Sequence, residues 1–240
     1  MPRKAIVLRH TVGDNAGAIG AHLKDLGYDL HHVDLHEGGV LPDLASYDMM
    51  LALGGPQQVW EEDEHPWLVG EKAAIRDWVA VKAKPYIGIC FGHQLLATAL
   101  GGEVGYAKKP EIGLNEVTLA DDASLHPFFE GLEGTHPVMQ WHFADVHRVP
   151  EGARVLGASS TTPVQAIAVG DHALGVQFHF EWTLEGVRRW VDHANWIDGL
   201  ERELGEGAHD RVVADMASRH EDVANVTHTV FGNFRRTTKL

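Results

Sequence analysis

The chain has 240 residues, 44% of them hydrophobic, which is enough apolar side chain to bury a sizeable core as one large α/β domain or two small ones. Its formal charge of -14, from 20 basic and 34 acidic residues, offers no broad positive field to phosphate backbones or anionic lipid, which argues against nucleic acid and membrane surfaces as partners. No apolar stretch approaches the roughly 20 residues of a transmembrane helix, and a single cysteine, Cys90, allows no internal disulfide, which fits a reducing cytoplasm.

The opening segment, MPRKAIVLRH, has a short apolar run and no cleavage-site pattern after it, so it reads as a first strand rather than a signal peptide. Runs of strand length follow: AIVLRH (5–10), YDLHHVDL (28–35), YDMMLAL (47–53) and YIGIC (86–90). Helix-like stretches separate them, and the alternation predicts a parallel sheet with crossover helices. The clearest helix follows Pro66, with Leu68, Ile75, Trp78, Val79 and Lys82 recurring near the 3.6 period.

After Gly101 the texture changes to short β-like pieces, GEVGY, GLNEVTLA, HPVMQWHF, VQAIAVG and HALGVQFHF, which predict an antiparallel extension of the same sheet. LEGVRRWVDHANW (184–196) then places Leu184, Val187, Trp190, Val191 and Ala194 on one helical face. The charged remainder reads as helical. The expected organisation is one α/β domain over residues 1–200 and a helical extension, 201–240, packed on it. Its basic end, RRTTKL, leaves open a homo-oligomer contact, a lid or a docking surface.

Gly88-Ile89-Cys90-Phe91-Gly92 has the spacing of a nucleophile elbow, in which a strand makes a strained turn into a helix and both flanking positions are small. There the helix amino terminus favours a thiolate, and the N–H of Phe91 can donate to an oxyanion. On spacing alone, Cys90 is as readily a buried apolar residue. Partners tip the balance. GVQFHFEWT (175–183) reads as a buried strand ending in His179-x-Glu181, two side chains on one side, where a carboxylate would orient an imidazole. A second glycine turn, LALGGPQQ (51–58), also ends a strand, and in a doubly wound sheet it would share a crevice with Cys90. The 17 histidines lack the paired spacing of a zinc site, so no metal is expected.

With these segments in hand, the sequence resembles the class I, triad-type glutamine amidotransferases, and most closely their free-standing, GMP-synthase-like members. GICFGHQLLATALGGEV, LGGPQQ, PEIGLNEVTL, VMQWHFADVHRVPEGARVLGAS and GVQFHFE match that family in order and spacing over roughly the first 200 residues. The resemblance implies a flavodoxin-like, mostly parallel sheet flanked by helices. It makes Cys90 the nucleophile, His179 the general base and acid, and Glu181 the orienting carboxylate. The oxyanion hole would be the amides of Gly55 and Phe91. Gly54, Gln94 and the backbone around Gln140, Trp141 and His142 would hold the substrate. Phe180 stands where the family usually has proline, and with Trp141 it is expected to shape the pocket rim. The implied reaction cleaves glutamine to glutamate and ammonia through a cysteine thioester, without a cofactor, for a separate ammonia-accepting synthetase. A free-standing γ-glutamyl hydrolase or peptidase would use the same thioester on larger amides. A non-catalytic binding module is the reading from another class.

Overall fold

Apolar runs alternate with amphipathic stretches in the first ninety residues because the inner strands are buried on both faces, while the helices and the edge strand are buried on one. The computed structural model, which describes residues 3–190 and 194–240, joins them by crossover helices. β1 (Arg3–Arg9), β2 (Tyr28–Asp34), β3 (Met49–Ala52) and β4 (Tyr86–Ile89) lie parallel in the order β2-β1-β3-β4. Between them run α1 (Gly17–Asp25) and α2 (Trp67–Arg76), and α3 (Phe91–Ala99) follows β4.

The period of two sorts the core. Ala5, Val7, Met49, Leu51, Ile87 and Ile89 face one side with Ile19 and Leu23 of α1, while Ile6, Leu8, Met50, Ala52 and Tyr86 face the other with α2 and α3. The Pro66 helix buries Leu68 and Ile75, then Trp78 and Val79 from a π-helical turn, Asp77–Val81. Lys82 departs from the expected stripe: it lies past that turn, exposed, and pairs with Asp77 at 2.6 Å.

The antiparallel part is built from β5 (Glu103–Leu119), β6 (Thr135–Arg148), β7 (Ala153–Ala158), β8 (Ala166–Val169) and β9 (Ala173–Val176). The full order is β2-β1-β3-β4-β9-β8-β7-β5-β6. β9 pairs parallel with β4 and antiparallel with β8, so the sheet changes sense there. Three readings of the sequence are revised. GEVGY and GLNEVTLA are one strand, β5, bent by a register shift between Tyr106 and Glu111. ARVLGA, unassigned by pattern, is β7. GVQFHFEWT does not continue as a strand to Glu181: β9 stops at Val176, and His179 makes only an isolated bridge to Met139.

The helix expected over 184–196 runs as α4 (Leu184–Trp190), and α5 (Ala194–Leu204) follows. Val187 is buried as expected. Val191 and the side chains of Trp190 and Ala194 lie outside the described residues. α6 (Ala208–Thr238) buries Val226, Val230, Phe231 and Phe234 in the α1-side core, so the end of the chain caps the sheet. Its Asn233 amide donates to the carbonyls of Phe128, at 3.2 Å, and Glu130, at 2.8 Å.

Glycines mark where backbone meets backbone. A Cβ at Gly92 would lie 2.2 Å from the Ala52 carbonyl oxygen, and neither β3 nor α3 has room to retreat. Gly70, by contrast, sits exposed on α2 with nothing within 4 Å. Gly92→Ala should therefore cost about 3 kcal/mol through overpacking. Gly70→Ala should stabilise by about 0.5–1 kcal/mol through lost chain entropy in the unfolded state. Denaturant midpoints of the two variants measure both.

Candidate active site

Cys90 follows the last residue of β4 and caps α3, with φ 52° and ψ -102°, a region that L-residues avoid. Two backbone bonds hold it there: Cys90 N–H donates to Val176 O at 2.8 Å, and Gly92 N–H to Leu53 O at 3.1 Å. A Cβ at Gly88 would lie 2.4 Å from Gly92 O, and one at Gly92 2.2 Å from Ala52 O, so both ends of the elbow are glycine. The thiol is 5% exposed and donates weakly to the Trp141 carbonyl at 3.6 Å.

His179 and Glu181 come from the irregular stretch after β9. Their side chains meet at 2.7 Å, Nδ1 to Oε1, both buried. The backbone around them is fastened on three sides. His179 N–H donates to Met139 O at 2.8 Å, Ala18 N–H to Glu181 O at 2.9 Å, and the Thr227 hydroxyl of α6 to Phe180 O. Burial alone would lower the His179 imidazole, yet the Glu181 carboxylate and the Cys90 side chain reverse this and push it up to about 10. The ring stacks on Trp182, with centroids 3.9 Å apart and an interplanar angle of 18°, a contact that favours the cationic form.

These groups open into a cavity of about 360 Å³ at the carboxyl edge of the parallel strands. Gly54 and Gly55 line it, and a Cβ at Gly54 would come within 3.2 Å of His179 Cε1 and 3.8 Å of Cys90 Cβ. Among the described residues, the Gly55 and Phe91 amides donate to no protein acceptor. Phe91 is the first residue of α3, so its N–H has no intrahelical partner. Gln94 lines the cavity and donates its amide to Ala144 O at 2.9 Å and Gln177 Oε1 at 3.1 Å, tying α3 to β6. Trp141 and His142 form part of the wall.

Two expected residues are elsewhere. Gln140 is fully buried away from the cavity and donates to Gln165 Oε1 at 2.8 Å. Phe180 turns into the core beside Phe178 and does not shape the rim, because the chain has left strand geometry at Val176. Among the described residues, no group of three or more His, Cys, Asp or Glu side chains is placed to hold a metal ion. Nor is any described helix long and apolar enough to cross a membrane.

The profile of "Glutamine amidotransferase class-I" matches residues 13–188. The chain belongs to this family. Its relatives include "Gamma-glutamyl peptidase 2" of Arabidopsis thaliana, 33% identical over 71% of this chain and 68% of that one. Another is a glutamine-hydrolyzing GMP synthase subunit of Sulfolobus acidocaldarius, 35% identical over 64% of this chain and 80% of that one. A solved glutamine amidotransferase from Thermotoga maritima superposes over 100% of both chains with a TM-score of 0.88 at 24% identity, a likeness of fold.

In this class-I amidotransferase, pattern reading missed four contributors. Asp14, in the loop after β1, lines the cavity. Burial and then the Glu181 charge push its carboxyl up to about 7, and its Oδ2 has no partner among the described residues. Trp182 stacks on His179. Under the β6 wall, Glu111 accepts from His142 at 3.0 Å, from Gln165 at 2.6 Å and from the hydroxyls of Ser159 and Thr161. Burial opposes its charge, but these donors hold it down to about 2. His10 and Glu71 are the fourth. The usable signal was topological: loops after parallel strands share one edge, and HTVGDN is such a loop.

Because the His179 value in the fold exceeds the ordinary 6.5, its charged form contributes stability that is complete below pH 6.5 and is lost as pH rises through about 10. Glu181→Gln should flatten that dependence. Denaturant unfolding of parent and variant at several pH values across this window checks it, the gap between them shrinking towards the alkaline end.

Proposed function

We propose that the chain hydrolyses γ-glutamyl amides through a thioester on Cys90. One observation carries this reading: a cysteine held on a strained turn opens into the same cavity as a buried imidazole–carboxylate pair and Gly55, whose amide is unengaged, as is that of Phe91 next to the cysteine. The Cys90 thiolate attacks the γ-carbonyl carbon, and the Gly55 and Phe91 amides stabilise the oxyanion. As the C–N bond breaks, the His179 imidazolium gives its proton to the leaving nitrogen. Water then loses a proton to the same ring, attacks the thioester and releases glutamate, which returns the thiolate–imidazolium pair. Glutamine would yield ammonia, for use by a separate synthetase.

A second observation favours the broader form of this activity. The cavity is of the size that receives drug-sized ligands, and Pro56, Trp141, Phe143, Trp182 and Val187 among its walls are apolar. Those walls suit a leaving group larger than ammonia, an amine or a peptide, so that the chain acts alone as a γ-glutamyl hydrolase. The γ-glutamyl peptidase named above supports this reading, as the GMP synthase relative supports the other.

Glutamate release by the purified chain decides between them. With γ-glutamyl amines and dipeptides, turnover should exceed that with glutamine, and Cys90→Ser should remove at least about 1,000-fold of it. Weak turnover of glutamine alone would favour the partnered amidotransferase. No turnover and no thioester with any of these substrates would refute both.

A further inference from the structure

Beneath the loop after β3 lies a second imidazole–carboxylate pair that the reaction above does not use. His10, at the carboxyl end of β1, and Glu71, on α2, are fully buried and meet at 2.9 Å, Nε2 to Oε1. The other ring nitrogen, Nδ1, lies 2.9 Å from the carbonyl oxygen of Gly54. With an oxygen acceptor facing each nitrogen, only the doubly protonated ring donates to both. Burial alone would lower this imidazole, but Glu71 and the Gly54 carbonyl together raise it above the ordinary histidine value. Trp67 stacks on the ring at 5.6 Å and Phe91 meets it edge-on at 5.0 Å, so it has little freedom to turn.

What this ring grips is the peptide unit that carries the Gly55 N–H. In a planar trans peptide the carbonyl and the N–H point in opposite directions. Drawing Gly54 O towards His10 therefore turns the Gly55 N–H away from His10, and Gly55 borders the cavity that holds Cys90. Two successive glycines leave such a peptide free to rotate unless something holds it. The fit is close: a Cβ at Gly55 would lie 2.6 Å from His10 Cβ, and the Gln57 amide clasps His10 O at 2.9 Å.

We propose that the buried His10–Glu71 pair is a positioning device, which pins the Gly54 carbonyl so that the Gly55 amide faces the oxyanion site before substrate or any partner arrives. This rests on the thioester reading. It also deepens it, since a hole organised within the isolated chain needs no second protein to complete it.

His10→Gln retains an amide for Glu71 but takes the donor away from Gly54, whereas His10→Asn puts an amide nitrogen where Nδ1 was. In the full chain, His10→Gln should lower kcat for the best γ-glutamyl amide about 100-fold, the usual loss for one oxyanion donor. KM and the rate of Cys90 alkylation by iodoacetamide should stay within about twofold, because alkylation forms no oxyanion and reads the thiol alone. His10→Asn should recover at least about tenfold of the lost kcat. The proposal is overturned if His10→Gln stays within about threefold of the parent, if kcat and alkylation fall together, or if Asn restores nothing. If His10→Gln does not fold, Glu71→Gln is read by the same split between turnover and alkylation. A parent that neither turns over a γ-glutamyl amide nor is trapped by a γ-glutamyl aldehyde refutes the thioester reading itself, whereas an active parent with a fully active His10→Gln refutes only the clamp.

Discussion

The crowding between the end of β3 and the turn from β4 into α3 governs the rest of the molecule. Gly92 touches the Ala52 carbonyl so closely that no side chain fits between them, and Cys90 is held in a left-handed conformation as a result. Such a conformation costs of order 1–3 kcal/mol and persists only where its surroundings over-determine it. Here they do. Every residue of α3 except Thr98 is buried, and the elbow is hydrogen-bonded to the strand ends on both sides, β3 through Leu53 and β9 through Val176. The sulfur therefore has a fixed position relative to the Gly54–Gly55 loop and to the segment that carries His179.

Around that fixed point the chain repeats one electrostatic device. His179–Glu181, His10–Glu71 and His142–Glu111 are imidazole–carboxylate pairs at 2.7, 2.9 and 3.0 Å, each buried. Buried ion pairs are poor sources of stability, since desolvation offsets most of their attraction. What they provide is orientation. One aligns the imidazole beside the thiol, one grips the peptide after β3, and one stiffens the β6 wall through a carboxylate that also gathers Ser159, Thr161 and Gln165. Three buried carboxylates of a net acidic chain thus act as partners of imidazoles in and around the cavity.

The strands that line the parallel sheet, and the elbow itself, were legible in the sequence because short-range rules determine them: apolar runs of fixed length, and glycines two residues either side of a cysteine. The His179 and Glu181 pairing was legible for a partly mistaken reason. The same-face argument assumed a strand, but the side chains meet in irregular chain held by Met139, Ala18 and Thr227. Long-range partners of that kind leave no local pattern, and neither do those of His10 and Glu71, which are 61 residues apart. Phe180 misled in the same way, since its direction depends on where β9 ends and on a helix nearly fifty residues further on. β7 was passed over because Ala and Gly in ARVLGA weaken its alternation, while its pairing with β8 and β5 supplies what the local sequence lacks.

The stack of His179 on Trp182 reaches beyond geometry into spectroscopy. Indole emission is quenched by a protonated imidazole in van der Waals contact and much less by a neutral one. Trp182, lying flat against His179, therefore makes its own emission depend on that ring's charge. In the proposed reaction the thioester step consumes the imidazolium proton, so Trp182, one of seven tryptophans, would report acylation without a dye, label or chromogenic leaving group.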